Sequence, residues 1–472
     1  FEDVIKEDCF YVDKTPFIED IENSNMYFFY LRPRRFGKSL TLSMLENYYD
    51  INKKDDFETI FGGLYIGKNP TPEHNTYLVI HLNFAEVDSG LDDYKEGLDT
   101  HCRLVFEDFC TRYAALLPQG TKEEMKSEQG AIAQLRFLCQ KCAEVKQKIY
   151  LFIDEYDNFT NMILSSEEHL ERYKGQTHGE GYLRRFFNTI KGAANTSLGR
   201  IFVTGVSPVT MDDLTSGFNI GTNYSLKPRF NEMTGFTEEE VRDMLSYYAG
   251  VLPFNHTVDE LIEIMKPWFD NYCFAINSYG KTTMYNSIMV LNFVDNYIEN
   301  DCNIPDKMVE PNIRIDYSKI RMLIRHDKEF AHDASIIQEL VTKGYATGNL
   351  VENFPADRIN DPDNFLSLLF YFGLVTIDGE YKGSTKFIIP NEVVRDQIYT
   401  YLLDTYREND LTFEQYDKNK LESRLAYDGD FKPYFDYIAD CLKRYSSQRD
   451  KQKGEAYVHG FTLAMTSQCK FY

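Results

Sequence analysis

The chain has 472 residues, of which 43% are hydrophobic and 26% are charged, a composition typical of a globular protein with several hydrophobic cores. Its formal net charge of −23 argues against a broad nucleic-acid-binding surface, which would be basic. No stretch approaches the ~18 consecutive apolar residues of a membrane span, and no secretory signal is visible at the start. We therefore expect a cytoplasmic protein with no membrane partner.

A phosphate-binding loop is predicted at Leu31–Leu40, which has the sequence Leu-Arg-Pro-Arg-Arg-Phe-Gly-Lys-Ser-Leu. It follows an apolar run, Met26–Leu31, that predicts a buried strand, and it precedes apolar residues at helical spacing. A strand, a short loop ending in Gly-Lys-Ser and a helix wrap a nucleotide phosphate with backbone N–H groups. We predict that Lys38 reaches the β and γ phosphates and that Ser39 binds Mg²⁺.

The complete loop pattern begins with a glycine five residues before Gly37, and this chain has Arg32 there. Arg32, Arg34 and Arg35 are expected to add positive charge beside the phosphates, although a solvated basic loop is the alternative. The predicted nucleotide-binding residues are Arg34, Arg35, Phe36, Gly37, Lys38, Ser39 and Leu40.

A second element lies at Lys148–Asp157, where five apolar residues lead into a pair of carboxylates. Such an apolar run suits a strand buried on both faces of a parallel sheet, and ligands bind at the carboxyl ends of these strands. We predict that Asp154 is a Walker-B residue that holds Mg²⁺ together with Ser39. Glu155 is expected to orient and partly deprotonate the attacking water. The plainer alternative is that the two carboxylates only terminate the strand.

Two further apolar runs, Leu78–Phe84 and Arg200–Gly205, predict additional core strands. Thr204, at the end of the second run, is expected to sense the γ-phosphate from a neighbouring strand, or else only to close that strand. Buried strands separated by helical patterns predict an α/β fold. The predicted fold is a P-loop NTPase parallel sheet with helices on both faces, followed by a helical lid and a winged-helix-like α+β module.

Several motifs together resemble the AAA-ATPase-like family, a family allied to the signal-transduction ATPases with numerous domains. The motifs are Tyr11–Thr15, Arg32–Ser39, Ile153–Asp157 and Thr204–Ser207, with moderately specific later matches at Tyr285–Ser287 and Ile389–Arg395. The loop of that family itself has the sequence Arg-Pro-Arg-Arg-Phe-Gly-Lys-Ser, so Arg32 is no departure from it. The resemblance covers most of the chain and implies ATP and Mg²⁺ as ligands.

The sequence predicts five segments. They are a P-loop ATPase core at residues 1–245, a helical lid at 246–335, a winged-helix-like module at 336–405, a helical connector at 406–453 and the start of a nuclease-like domain at 454–472. A capping box at Thr237–Glu240 opens the first lid helix. In the third segment we expect a hairpin that turns at Asp378-Gly379. A winged helix contacts DNA in some proteins, but packing and relay are favoured here.

The final segment bears on nuclease activity. Members of the family commonly carry a C-terminal nuclease domain of the PD-(D/E)XK type, and Gly454–Phe461 resembles its first helix. By this resemblance Glu455 would be its first metal-binding carboxylate, with an ordinary helix-start carboxylate as the alternative. The chain ends at Tyr472, before any later Asp or Glu-x-Lys. We therefore expect no nuclease activity from this chain, and any nucleic-acid partner would bind through the missing C-terminal domain.

The leading hypothesis is an ATP-binding, slowly hydrolysing switch that gates a C-terminal effector. The first alternative is a nucleotide-bound interaction scaffold without significant turnover, and the second is the regulatory part of a DNA-cleaving enzyme. ATP is favoured over GTP because the chain has no Asn-Lys-x-Asp base-recognition motif. A homo-oligomer with an arginine finger supplied in trans is also considered; the candidates are Arg34, Arg35, Arg184, Arg185 and Arg229.

Overall fold

The structure is a computed structural model, and it describes eight parts of the chain. These are residues 1–87, 94–158, 181–193, 196–209, 221–309, 336–408, 415–445 and 454–466. Within these ranges, no helix combines the length and the apolar character needed to cross a bilayer.

The N-terminal half of the chain alternates strands with helices. Its strands are β1 (Tyr27–Leu31), β2 (Tyr77–Asn83), β3 (Lys148–Asp154), β4 (Leu198–Gly205) and β5 (Thr222–Asn223). Its helices are α1 (Glu2–Lys6), α2 (Phe17–Glu22), α3 (Lys38–Tyr49), α4 (Phe57–Phe61), α5 (Tyr65–Lys68), α6 (Tyr94–Arg112), α7 (Thr121–Ser127), α8 (Gly130–Glu144) and α9 (Tyr182–Ala193). All four predicted strands are confirmed, and the two-residue strand β5 is an addition too short to show a pattern.

The C-terminal half is mainly helical. Its helices are α10 (Glu238–Val251), α11 (Val258–Phe269), α12 (Ser287–Glu299), α13 (Ile336–Lys343), α14 (Pro362–Tyr371), α15 (Glu392–Glu408), α16 (Gln415–Asp428), α17 (Lys432–Tyr445) and α18 (Gly454–Thr466). Its strands are β6 (Ala346–Gly348), β7 (Thr376–Tyr381) and β8 (Ser384–Ile388). The predicted capping box at Thr237–Glu240 is confirmed at the start of α10.

The five N-terminal strands form one parallel sheet in the order β2-β3-β4-β1-β5. The order places β4 between the strand that precedes the phosphate loop and the strand that ends in Asp154. Because all strands are parallel, their carboxyl ends meet at one edge. The sheet register pairs Tyr30 with Thr204 and Asn83 with Asp154.

Helices cover both faces of this sheet, as predicted. One face packs against α3 and the short N-terminal helices through a core that includes Leu42, Tyr48 and Phe152. The other face packs against α6, α8 and α9, and its core continues without a break into α13, α14 and α15. Both faces are buried, which explains why the strands have nearly continuous apolar sequences.

Helices α10, α11 and α12 have a core of their own, which Val393 of α15 joins. The assignment of residues 246–335 as a lid stays a prediction. Beyond them, β6, β8 and β7 form a small antiparallel sheet beside α13 and α14. The predicted hairpin turn at Asp378-Gly379 is wrong. The strands continue through these residues with a register irregularity, and the turn lies at Lys382-Gly383, where both residues have positive φ as a tight hairpin turn requires.

The last described helix, α18, packs against α15 and α13. Phe461 and Met465 of this helix are buried in the same core as the small-sheet module. The nuclease-like assignment of residues 454–472 and the role of the Glu455 carboxylate stay predictions, because that side chain lies outside the described part of the chain.

Candidate nucleotide-binding site

The phosphate loop occupies residues 32–37, between the end of β1 and the start of α3. Arg35 and Gly37 both have left-handed backbone conformations, with φ of 70° and 87°. Glycine adopts this conformation without steric cost, which is why Gly37 is needed immediately before the helix. The Gly37 carbonyl accepts hydrogen bonds from the backbone N–H and the hydroxyl of Thr41, at 3.0 and 3.1 Å.

The Lys38 ammonium lies under the loop and is nearly buried. Its Nζ donates to the carbonyls of Arg32 and Pro33 at 3.0 and 3.1 Å. Burial lowers the pKa of Lys38, and the nearby Glu155 and Asp154 carboxylates oppose that shift. The ammonium therefore has carboxylates close by and its donors turned towards loop carbonyls.

The two predicted Mg²⁺ ligands meet in the structure. Ser39 Oγ donates to Asp154 Oδ2 at 2.9 Å, although the two residues are 115 positions apart. Burial raises the pKa of the Asp154 carboxyl, and the hydrogen bond from Ser39 opposes that shift. A hydroxyl and a carboxylate are the hard oxygen donors that Mg²⁺ takes from proteins, which usually supply one or two carboxylates and leave the rest to phosphates and water. The residues present therefore fit this ion.

Glu155 directly follows the strand and has a left-handed backbone, with φ of 49°. Its N–H donates to Asp154 Oδ1 at 2.9 Å, which fixes the carboxylate of its neighbour. The Glu155 side chain is half-buried and its carboxylate lies near Lys38. Its predicted role as a base stays a prediction.

Asp157 is a site residue whose role the sequence reasoning did not identify. Its carboxylate accepts hydrogen bonds from the backbone N–H groups of Val206 and Ser207, at 3.1 and 2.6 Å. The buried Asp157 side chain therefore holds the backbone that leaves β4 against the end of β3. The signal in the sequence is its place two residues after Glu155 in Asp-Glu-Tyr-Asp, at the end of the apolar run.

Thr204 lies at the end of β4, the strand between β1 and β3, and its side chain faces into the sheet. The hydroxyl is fully buried and donates to the carbonyl of Tyr30 at 2.8 Å. This bond ties β4 to β1 directly below the phosphate loop. The predicted γ-phosphate contact stays a prediction, and it would require the hydroxyl to exchange this partner.

The expectation that Arg32 adds charge beside the phosphates is wrong. Its side chain is 1% exposed and turns into the protein below the loop. It donates to backbone carbonyls and packs between aromatic rings. Phe36 likewise turns inward, with its ring in edge contact with Tyr272 and Phe274 at centroid distances of 4.9 and 5.2 Å. These two side chains anchor the loop from within the core.

Arg34 and Arg35 have partly exposed side chains, and their carbonyls accept hydrogen bonds from the start of α12. Ser287 Oγ and the Ile288 N–H both donate to the Arg35 carbonyl, at 3.1 and 3.3 Å. Asn286 Nδ2 approaches the Arg34 carbonyl at 3.5 Å. The later motif at Tyr285–Ser287 therefore braces the phosphate loop, a contact that its position in the sequence does not indicate.

The other arginine candidates differ in their surroundings. Arg229 donates to Ser24 Oγ at 2.5 Å and lies 3.5 Å from Asp20 Oδ1, so its guanidinium has partners within this chain. The exposed Arg185 lies over the ring of Tyr182, with its Cζ 5.8 Å from the ring centroid. No candidate is established as an arginine finger by these contacts.

The loop, the strand-end carboxylate and the sheet order together define a P-loop nucleotide-binding protein. Residues 1–215 match the family model described as AAA-ATPase_like, predicted AAA-ATPase. The family resemblance drawn from the motifs is therefore confirmed over this part of the chain.

One protein sequence and two solved structures illustrate the range of similarity. The "Uncharacterized protein in vnfD 5'region" of Azotobacter chroococcum mcd 1 is 26% identical over 266 residues, which are 56% of this chain and 45% of that protein. Cdc6p of Pyrobaculum aerophilum has 13% identity, a TM-score of 0.33 and coverage of 80% of this chain and 88% of its own. The Aeropyrum pernix ORC2 protein has 10% identity, a TM-score of 0.36 and coverage of 83% and 93%.

The present chain thus spans less than half the length of the Azotobacter relative. The two solved structures have TM-scores below 0.5, and the fold assignment rests on the strand order and the phosphate loop of this chain.

Proposed function

We propose that the chain binds ATP with Mg²⁺ at the phosphate loop and hydrolyses it slowly. The observation that carries the proposal is the 2.9 Å hydrogen bond between Ser39 and Asp154, with Lys38 nearby. A hydroxyl, a carboxylate and an ammonium at one loop are the side chains that nucleotide triphosphate sites use. The bound Mg²⁺ would supply charge neutralisation at the phosphate oxygens.

Each residue then has a distinct role in the proposed site. Lys38 would exchange one of its loop carbonyl partners for phosphate oxygens. Ser39 and Asp154 would hold the metal ion, and the N–H of Glu155 keeps the Asp154 carboxylate in place. The Glu155 carboxylate would orient the attacking water and accept its proton. Asp157 holds the end of β4 so that these groups keep their relative positions.

The contacts of the loop also support a switch. The loop carbonyls bind the start of α12, and Pro33 lies against Gly373 after α14. A nucleotide that moves the loop would therefore bias both the lid and the small-sheet module. We propose that this movement gates a C-terminal effector, which by family resemblance is nuclease-like.

The alternative, a nucleotide-bound scaffold without turnover, has one specific observation in its favour. The Thr204 hydroxyl, proposed to sense the γ-phosphate, is already committed to the Tyr30 carbonyl. Tight ATP binding with no single-turnover hydrolysis would support this alternative.

The test is Mg²⁺-dependent ATP binding and turnover by the full chain and its variants. Lys38→Ala should lose binding, and Glu155→Gln should keep binding but turn over roughly a hundredfold or more slowly, as expected for loss of a general base. Lys54→Ala and Glu239→Gln make the same changes at exposed positions outside the site and should match the wild type. Wild-type affinity in Lys38→Ala would overturn the phosphate assignment, and full turnover in Glu155→Gln would remove Glu155 as base.

A further inference from the structure

Arg32 replaces the first glycine of the phosphate-loop pattern, and the structure shows what its side chain does. Nη1 donates to the Leu31 and Ser225 carbonyls at 3.0 and 2.7 Å, and Nη2 donates to the Phe230 carbonyl at 2.8 Å. The guanidinium also lies between two aromatic rings. Its Cζ is 4.4 Å from the ring centroid of Tyr30 and 4.2 Å from that of Phe274.

Burying a guanidinium in this way carries a large desolvation penalty. Burial lowers the pKa of Arg32, because the guanidinium is removed from water. Within the described residues, no carboxylate lies within ion-pair distance of this guanidinium, and its charge is compensated by carbonyl dipoles, ring faces and the Tyr30 side chain. Buried charges often contribute less to stability than apolar side chains of similar size. A role beyond stability therefore accounts better for an arginine at this position.

The backbone of the same residue holds the key ammonium. The Arg32 carbonyl accepts from Lys38 Nζ at 3.0 Å, next to the Pro33 carbonyl at 3.1 Å. The partner segment is itself fixed, because Ser225 Oγ accepts from the Leu31 N–H at 2.7 Å and bonds Asn223 Oδ1. The side chain of Arg32 thus fixes the loop to residues 225–230, and its carbonyl helps to hold the Lys38 ammonium in position.

We propose that Arg32 is a positioning residue that pre-organises the phosphate loop for nucleotide by anchoring it to residues 225–230 and Phe274. This inference rests on the proposed ATP site and assigns a role that glycine in the usual loop cannot have. A planar guanidinium suits the position because its donors point in fixed directions and its faces stack on rings, which an ammonium cannot reproduce.

The test compares Arg32→Met and Arg32→Lys with Arg200→Met. Arg200 is a buried arginine at the opposite end of β4, bonded to Glu73 at 2.7 Å, so it is a control for loss of a buried guanidinium. ATP affinity is measured by calorimetry, and kcat and KM by turnover. Hydrogen exchange of a peptide spanning residues 32–41 is measured without nucleotide, with a β3 peptide as internal reference.

Arg32→Met should weaken ATP binding by about tenfold, the loss expected if only about one molecule in ten keeps the loop in its binding-competent arrangement. It should raise KM more than it lowers kcat, and it should accelerate exchange in the loop peptide but not in β3. Arg32→Lys should recover the affinity only in part. Arg200→Met should leave both the affinity and the relative loop exchange at wild-type values.

Unchanged affinity and unchanged loop exchange in Arg32→Met would overturn the proposal, as would an equal loss in Arg200→Met. If Arg32→Met does not fold, Arg32→Lys decides by the same criteria. If the wild type binds no ATP, the proposed function fails. The loop exchange still decides whether Arg32 orders the loop, so the two failures are distinguishable.

Discussion

Replacing Asp154 by asparagine is expected to stabilise the ligand-free protein and to reduce its stabilisation by Mg²⁺ and ATP. In the ligand-free protein, burial raises the pKa of this carboxyl above its ordinary value of 3.8. A raised pKa means that folding favours the protonated form, so the charged carboxylate costs stability at neutral pH and the cost disappears as the pH falls. Asparagine carries no charge, and the melting temperature of the ligand-free variant should therefore rise at pH 7.

Stabilisation by Mg²⁺ and ATP should fall at the same time. At about one hundred times Kd, a ligand stabilises the folded state by about 2.7 kcal/mol. Loss of one interaction with a charged group costs about 1.5–3 kcal/mol, or roughly 10–100-fold in affinity. After a hundredfold loss, the same ligand concentration equals Kd and stabilises by only about 0.4 kcal/mol. At about 2–4 °C per kcal/mol for a domain of 150–250 residues, the melting shift falls from roughly 5–11 °C to about 1–2 °C.

Differential scanning fluorimetry with and without Mg²⁺ and ATP measures both effects. Asp50→Asn is the matched control, because Asp50 is a buried carboxylate that follows the C-terminus of α3. The length of this helix, about 18 Å, separates Asp50 from the helix start at the phosphate loop. This control should keep the full ligand-induced shift. A wild-type shift in Asp154→Asn, or a ligand-free protein that melts lower than the wild type, would refute the reasoning.

Two further predictions concern the surroundings of the site. Gly373 has φ of +77°, and an added Cβ would lie 2.9 Å from Pro33 Cβ. Gly373→Ala should therefore destabilise the fold by about 1–3 kcal/mol and weaken ATP binding in calorimetry. The control is Gly383→Ala, because Gly383 also has a positive φ but an added Cβ would meet no atom within 4 Å; this variant should keep the wild-type affinity. His81 Nδ1 lies 2.5 Å from Glu46 Oε1. Burial lowers the pKa of His81, but the Glu46 carboxylate has the larger effect and raises this pKa above 6.5. The pair therefore stabilises the fold below pH 6.5 and loses its effect as the pH rises through the pKa of His81 in the folded state. Glu46→Gln should consequently lower the melting temperature more at pH 6 than at pH 9. An equal drop at both pH values would contradict this interpretation.

Local sequence predicted much of the ATP-binding half. Apolar runs identified four of the five strands because both faces of a parallel sheet are buried. The Gly-Lys-Ser sequence predicted the start of α3 correctly. Both the left-handed backbone of Gly37 and the helix N-terminus that follows it depend on residues adjacent along the chain. The hairpin turn was misplaced because Lys382-Gly383 carries a weaker turn signal than Asp378-Gly379, which the structure uses for a register irregularity.

The sequence by itself determined the phosphate loop, the strand-end carboxylates and the α/β class, because each depends on residues adjacent along the chain. The tertiary structure alone decided that β4 lies between β1 and β3, and that Ser39 bonds Asp154. It also decided that Arg32 turns inward and that Ser287 bonds the Arg35 carbonyl across 252 residues. The direction of a side chain depends on which distant segment offers it acceptors and rings, and only the packing of those segments fixes that choice.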